Sequence, residues 1–188
     1  MEDGHTAAHA VTGADSGDHE EDMMGDPRAM RGLLARQLDW GEAHVGFERA
    51  LADFPEELLG AIPPGFSHSG WQLLEHMRRA QADILDFCVN TDYVAPASLE
   101  EYWPDVAPVP GESWDATVAA FLEDIAALKR LALDEAVDLS AKAPAAREET
   151  QTLARALILV TDHNAYHLGQ LVALRKALGA WREGRGWG

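Results

Sequence analysis

The 188-residue sequence predicts an all-α protein built as a four-helix bundle. Three observations predict it. Four long segments carry apolar residues at alternating spacings of three and four, the period of one helix face. Breakers rich in proline, glycine or small polar residues separate those segments. No segment alternates with period two for long enough to make a convincing strand.

Residues 1–26 stand apart from the bundle. They hold Glu2, Asp3, Asp15, Asp18, Glu20, Glu21, Asp22 and Asp26 with no Lys or Arg, and much of the remainder is Gly, Ala, Ser and Thr. Such a segment offers too little apolar surface to fold alone and is expected to be a disordered acidic tail. Its histidines, His5, His9 and His19, suit weak metal capture less well than a simple solvated tail. The bundle is expected over 27–182, with a flexible end over 183–188.

The first helix is predicted from about Pro27 to Phe54. Asp26 can cap it, and Pro27 occupies the first helical position, where the missing N–H costs nothing. Its face reads Leu33, Gln37, Trp40, His44, Phe47 and Leu51, and Pro55 helps stop it. After the breaker Ala61-Ile62-Pro63-Pro64-Gly65, Ser69 and Gln72 form a capping box. The second helix then runs to about Asn90 with the stripe Leu73, His76, Ala80, Ile84 and Phe87.

A long connection follows over 91–112, with Pro96, Pro104, Pro108 and Pro110 and the aromatics Tyr93, Tyr102 and Trp103. Connections of this length in a compact domain are usually functional or disordered, and the aromatics favour packing. Ser113 caps the third helix, whose buried face is Trp114, Val118, Phe121, Ile125 and Leu128. A polar link spans about 134–146. The fourth helix is expected from about Glu149 to Leu178, ended by Gly179. Its inward stripe is Leu153, Ala156, Val160, His163, His167, Leu171, Leu174 and Leu178.

Composition narrows the function. The net charge of −17 disfavours nucleic acid and anionic membrane surfaces, which require Lys and Arg. Cys88 is the single cysteine, so no intramolecular disulfide is possible. No apolar run approaches the roughly 18 residues of a membrane span. The start lacks the basic and apolar regions of a signal peptide. The expected location is the cytoplasm.

His44, His76, His163 and His167 all fall on the apolar stripes. His163 and His167 form HxxxH, which stacks two imidazoles on one helix face about 5–6 Å apart at Cβ. Both can reach one ion through bonds of about 2.0–2.1 Å. By spacing alone, two hydrogen-bonded core histidines explain the pattern equally well. His76, inward on the second helix, is the best candidate for a third ligand. Three neutral nitrogens suit zinc first, with nickel, iron or copper next, over magnesium or calcium. They leave coordination positions open, as catalytic sites do. A zincin protease is set aside because Asn164 stands where its Glu would be. A ferritin-like di-metal site is set aside because the one ExxH, Glu2 to His5, lies in the tail.

Ser69-Gly70-Trp71-Gln72-Leu73-Leu74-Glu75-His76 resembles the start of the second helix in the DinB/YfiT-like superfamily. Asp162-His163-Asn164-Ala165-Tyr166-His167-Leu168-Gly169-Gln170-Leu171, with Arg175 and Leu178-Gly179-Ala180-Trp181, resembles that superfamily's last helix. The resemblance covers about 28–181. It implies a four-helix bundle with a three-histidine metal site at His76, His163 and His167, and a homodimer. Characterised relatives use low-molecular-weight thiols, in S-transfer or in isomerising maleylpyruvate.

The expected function is therefore metal-dependent activation of a thiol or water for attack on a small electrophile, of the thiol S-transferase type. A metal-dependent hydrolase and a non-catalytic, stress-linked metal or small-ligand binder are the alternatives. His44 is a candidate acid or base, fourth ligand or ligand partner, with a core histidine bonded to a neighbour as an equal alternative. Gln170, Trp103 and Tyr102 are candidates to line or roof the pocket, simple loop packing being the plainer role for the two aromatics. Asp162 and Asn164 point about 100° away from the flanked ligand and are read as partners of a ligand's second nitrogen. Arg175 is read as a helix-end salt bridge or an acidic-substrate contact, and Cys88 as a small core residue.

Overall fold

The computed structural model describes residues 26–39 and 43–182. The expected tail, the flexible end and Trp40 lie outside the described residues, apart from Asp26. Five helices are present: α1 (Pro27–Gln37), α2 (Phe47–Leu51), α3 (Gly70–Val89), α4 (Trp114–Leu133) and α5 (Leu153–Ala177). Short 3-10 turns occur at Glu56–Leu58 and Leu99–Tyr102. Among the described residues there is no strand, only one isolated bridge between Lys142 and Thr152.

The four longer helices pack in series: α1 on α4, α4 on α3 and α3 on α5, while α5 touches α1 and α4 only lightly. The core between them includes Leu74, Met77, Phe121, Leu128, Leu157, Val160, Leu171 and Leu174. No helix among the described residues is long and apolar enough to cross a membrane.

The first predicted helix is not continuous. Asp26 caps α1 as expected, with its carboxylate accepting from Arg28 N at 2.9 Å. α1 ends at Gln37, and Gly46 opens α2 in extended conformation. Val45 and Phe47 are both buried. Two residues apart on one helix they would point about 200° from each other, so a straight helix could not bury both. The break also moves the buried face of α1 to Ala35 and Leu38, leaving Leu33 exposed. Leu51, rather than Phe54, closes this region, and Asp53 adopts a left-handed φ of 50°.

α3 and α4 begin where their caps predict. Ser69 and Gln72 complete the reciprocal capping box, and Ser113 accepts from Ala116 N. α5 starts four residues later than expected. Thr152 is its N-cap. The N–H groups of Leu153 and Ala154 donate to the carbonyls of Ala141 and Leu139 in the preceding link. Those tertiary bonds satisfy the first turn's free donors and fix the helix start. Gly179 ends the helix with φ 69°, as the sequence predicts.

Candidate metal centre

α3 and α5 lie side by side and bring three histidines together. His76 comes from α3, and His163 and His167 from successive turns of α5. One nitrogen from each ring lies within 4.8 Å of the others, the single such group of metal-ligating side chains among the described residues. His76 and His167 are buried, and His163 is half-buried. The Nε2 atoms of His76 and His163 are 3.1 Å apart. Two nitrogens bonded to one metal at about 2.0–2.1 Å lie about 3 Å apart when their bonds make roughly a right angle, so the spacing suits a shared ion.

The other side of each ring faces an oxygen. His76 Nδ1 lies 3.2 Å from the carbonyl of Tyr102. His167 Nδ1 lies 2.8 Å from Gln170 Oε1. His163 Nδ1 lies 3.5 Å from Asn164 Oδ1. Each oxygen is an acceptor, so it favours the ring proton on Nδ1. With Nδ1 protonated, the Nε2 lone pairs of His76 and His163 would face each other at 3.1 Å. Converging lone pairs repel unless a cation or a proton lies between them. A divalent cation would take one nitrogen from each ring, so the donor set fits a metal.

Electrostatics agree with neutral rings. Burial, reinforced by His167 and His163, lowers the His76 pKa to about 4. Burial also lowers those of His163 and His167. Neutral imidazole is the form that ligates.

The long connection is strapped along α3 by one stripe of side chains. Ser69 Oγ donates to the Val106 carbonyl at 2.5 Å, and Gln72 Nε2 to that of Pro104 at 3.2 Å. His76 meets the Tyr102 carbonyl, and Arg79 donates to that of Glu101 at 3.0 Å. Asp83 then accepts from the hydroxyls of both Tyr93 and Tyr102, at 2.9 and 2.8 Å. The spacing 69, 72, 76, 79, 83 is a single helix face. The connection therefore runs antiparallel to α3, with His76 in the middle of the strap.

The strap sets Tyr102 and Trp103 beside the cluster. Trp103 stacks flat on His76, centroids 3.8 Å apart, and on its other face against His68 at 3.9 Å. Tyr102 contributes its main-chain carbonyl, with its hydroxyl turned to Asp83. Gln170 acts on His167 directly. His68 lies in the loop before α3, where a histidine eight positions ahead of His76 carries no periodic signal.

Other candidates sit elsewhere. His44 is half-buried in the segment between α1 and α2, its Nδ1 2.9 Å from the Val45 carbonyl, and it is not in the three-histidine group. It borders a cavity of about 380 Å³ with Val45, Ala165, Leu168, Gly169 and Val172, a different side of α5. Asn164 is buried and bonds Gln81 Oε1 on α3 at 2.7 Å, while Asp162 is exposed. Gln81 lies beside the stripe of His76, Ala80, Ile84 and Phe87, and its one signal in the sequence is an amide in helical register with the apolar Met77 and Cys88.

Among the described residues Arg175 forms no helix-end salt bridge. It is 3% exposed and donates to the carbonyls of Ala50, Asp53 and Ala180. Its guanidinium lies over the rings of Phe54 and Trp181. Cys88 is buried, which pushes its thiol pKa up to about 11.

A model of one protein superfamily, DinB, matches residues 40–171, well over half the chain and inclusive of all three histidines. Neither the curated proteins nor the solved structures offer a match.

Proposed function

The chain belongs to the DinB superfamily, and we propose that His76, His163 and His167 hold one divalent transition metal, zinc before nickel or iron, through their Nε2 atoms. The convergence of one nitrogen from each of three rings carries this reading. A metal bound there supplies Lewis acidity that lowers the pKa of a coordinated thiol or water. Three protein ligands leave room for such a group.

The chain's own residues do the rest. Tyr102, Asn164 and Gln170 hold the three rings so that Nε2 faces inward. Trp103 and the strap keep water from one side of His76. We place the reaction in the class of attack by a thiol on a small electrophile, with hydrolysis as the variant in which water replaces the thiol. His44 borders its own cavity and serves as acid or base only if a substrate spans from there. Exposed Ile158, Leu159 and Tyr166 on α5 support a homodimer.

The close cover of Trp103 favours a second reading, a binder that captures a small ligand without turnover. One experiment separates the readings. Protein purified without a histidine tag is analysed for metal, then assayed with a test electrophile and a low-molecular-weight thiol. About one equivalent of metal with turnover that is lost in His163→Ala supports the enzyme. Metal with ligand capture and no turnover supports the binder. No metal in protein supplied with zinc and nickel overturns both.

A further inference from the structure

A buried chain of two amides joins α4 to the candidate metal centre. Gln81 is fully buried on α3, and Asn164 on α5 is 3% exposed. The Phe121 carbonyl lies inside α4 and can only accept. Gln81 Nε2 donates to it at 2.7 Å. That contact turns Gln81 Oε1 toward α5, where Asn164 Nδ2 donates to it at 2.7 Å. Asn164 Oδ1 is then the atom left facing His163 Nδ1, 3.5 Å away. Reversing either amide would set donor against donor or acceptor against acceptor. The orientation of both amides is therefore dictated by a main-chain carbonyl two residues removed from the histidine ring.

We propose that Gln81 and Asn164 are positioning residues that hold His163 in its Nδ1–H tautomer, keeping the Nε2 lone pair directed at the metal. The proposal rests on the metal reading above for its purpose, but the tautomer can be read without a bound ion, where the amide's bias competes with the 3.1 Å contact between Nε2 of His163 and of His76. His76 needs no such relay, because its partner is a main-chain carbonyl, which cannot reverse. His163 has a side-chain amide as its partner, and an unanchored amide could turn either end toward the ring. The 3.5 Å contact is long for a hydrogen bond. It biases the proton toward Nδ1, because an oxygen beside that atom repels a lone pair and attracts an N–H. In water the other tautomer, Nε2–H, predominates for a free histidine side chain, and that form would aim a proton at the ion.

The test uses the full chain. Long-range proton–nitrogen NMR of the metal-free protein at pH 8 reads the His163 tautomer. Zinc affinity is measured by competition with a chelator, and thermal melting checks the fold. The wild type should show Nδ1–H at His163. Asn164→Leu, and the double variant Gln81→Leu with Asn164→Leu that leaves no amide unpartnered, should shift His163 mainly to Nε2–H. Zinc affinity should fall roughly 10- to 100-fold. Asn164→Asp combined with Gln81→Leu, which keeps an oxygen facing the ring and sets no acceptor against Gln81 Oε1, should retain Nδ1–H and covers the case in which the leucine variants fail to fold. Retention of Nδ1–H in the folded leucine variants, or loss of it in that folded aspartate variant, overturns the proposal. A wild type that shows Nδ1–H but takes up no zinc supports the relay and overturns the metal reading.

Discussion

His76 and His163 approach each other through their Nε2 atoms, 3.1 Å apart, with both Nδ1 atoms turned away to oxygen acceptors. A ligand pair contributed by two helices makes metal uptake sensitive to each partner separately. Alanine at His76, His163 or His167 should reduce bound metal from near one equivalent to background in elemental analysis. Melting of the metal-free variants should stay close to that of the metal-free wild type, because the core is filled without the site.

Acid should weaken the metal-free fold. The His76 pKa is lowered to about 4, and those of His163 and His167 are also lowered. Between the ordinary value near 6.5 and the lowered ones, the unfolded chain binds protons that the folded chain refuses. Stability is therefore complete above about pH 6.5 and falls as the pH drops toward 4. Melting curves of metal-free protein at pH 7.5 and 5 should show the loss, and His76→Gln should flatten it. A profile unchanged by His76→Gln would contradict the assignment.

Asp83 anchors Tyr93 and Tyr102 at once, and Tyr102 presents its carbonyl to His76. Asp83→Ala should free that end of the strap. The expected loss is about 1–3 kcal/mol of stability for two hydroxyls released from a charged acceptor. Zinc affinity should fall about tenfold through His76. Hydrogen exchange over residues 93–106 should speed up while α4 and α5 remain protected.

Arg175 should prove a fold residue rather than a substrate contact. Its head is enclosed by the carbonyls of Ala50, Asp53 and Ala180, against Phe54 and Trp181. Arg175→Met should cost about 2–4 kcal/mol, since charge-assisted hydrogen bonds to buried carbonyls are lost. Denaturant unfolding measures this, and metal content of the folded fraction should be unchanged. A stable Arg175→Met with metal content intact and turnover abolished would instead place the residue in the reaction.

Gly70 opens α3 against the Phe54 ring. A Cβ there would lie 2.1 Å from Phe54 Cε1. Gly70→Ala should displace that ring from under Arg175 and beside Trp114, costing about 1–3 kcal/mol by overpacking. The companion Gly169→Ala, where nothing lies within 4 Å, should leave stability unchanged or raise it.

The sequence by itself determined the long helices and their caps. Asp26, Ser69, Ser113 and Gly179 act where they stand because capping is local: one side chain or one permissive φ answers the free groups of a nearby turn. HxxxH placed His163 and His167 on one face for the same reason, since helix geometry alone aligns residues four apart. Only the tertiary structure decided the rest. It broke the first helix so that both Val45 and Phe47 could be buried, carrying His44 away from the cluster. It delayed α5 to Thr152 through bonds to Leu139 and Ala141. It also set an oxygen beside every Nδ1, from Tyr102, Asn164 and Gln170. A ring's proton is set by the group it meets, and for His76 that group lies 26 residues away in sequence. Spacing can bring imidazoles to one face, but packing between α3, α5 and the strap decides which nitrogen they offer.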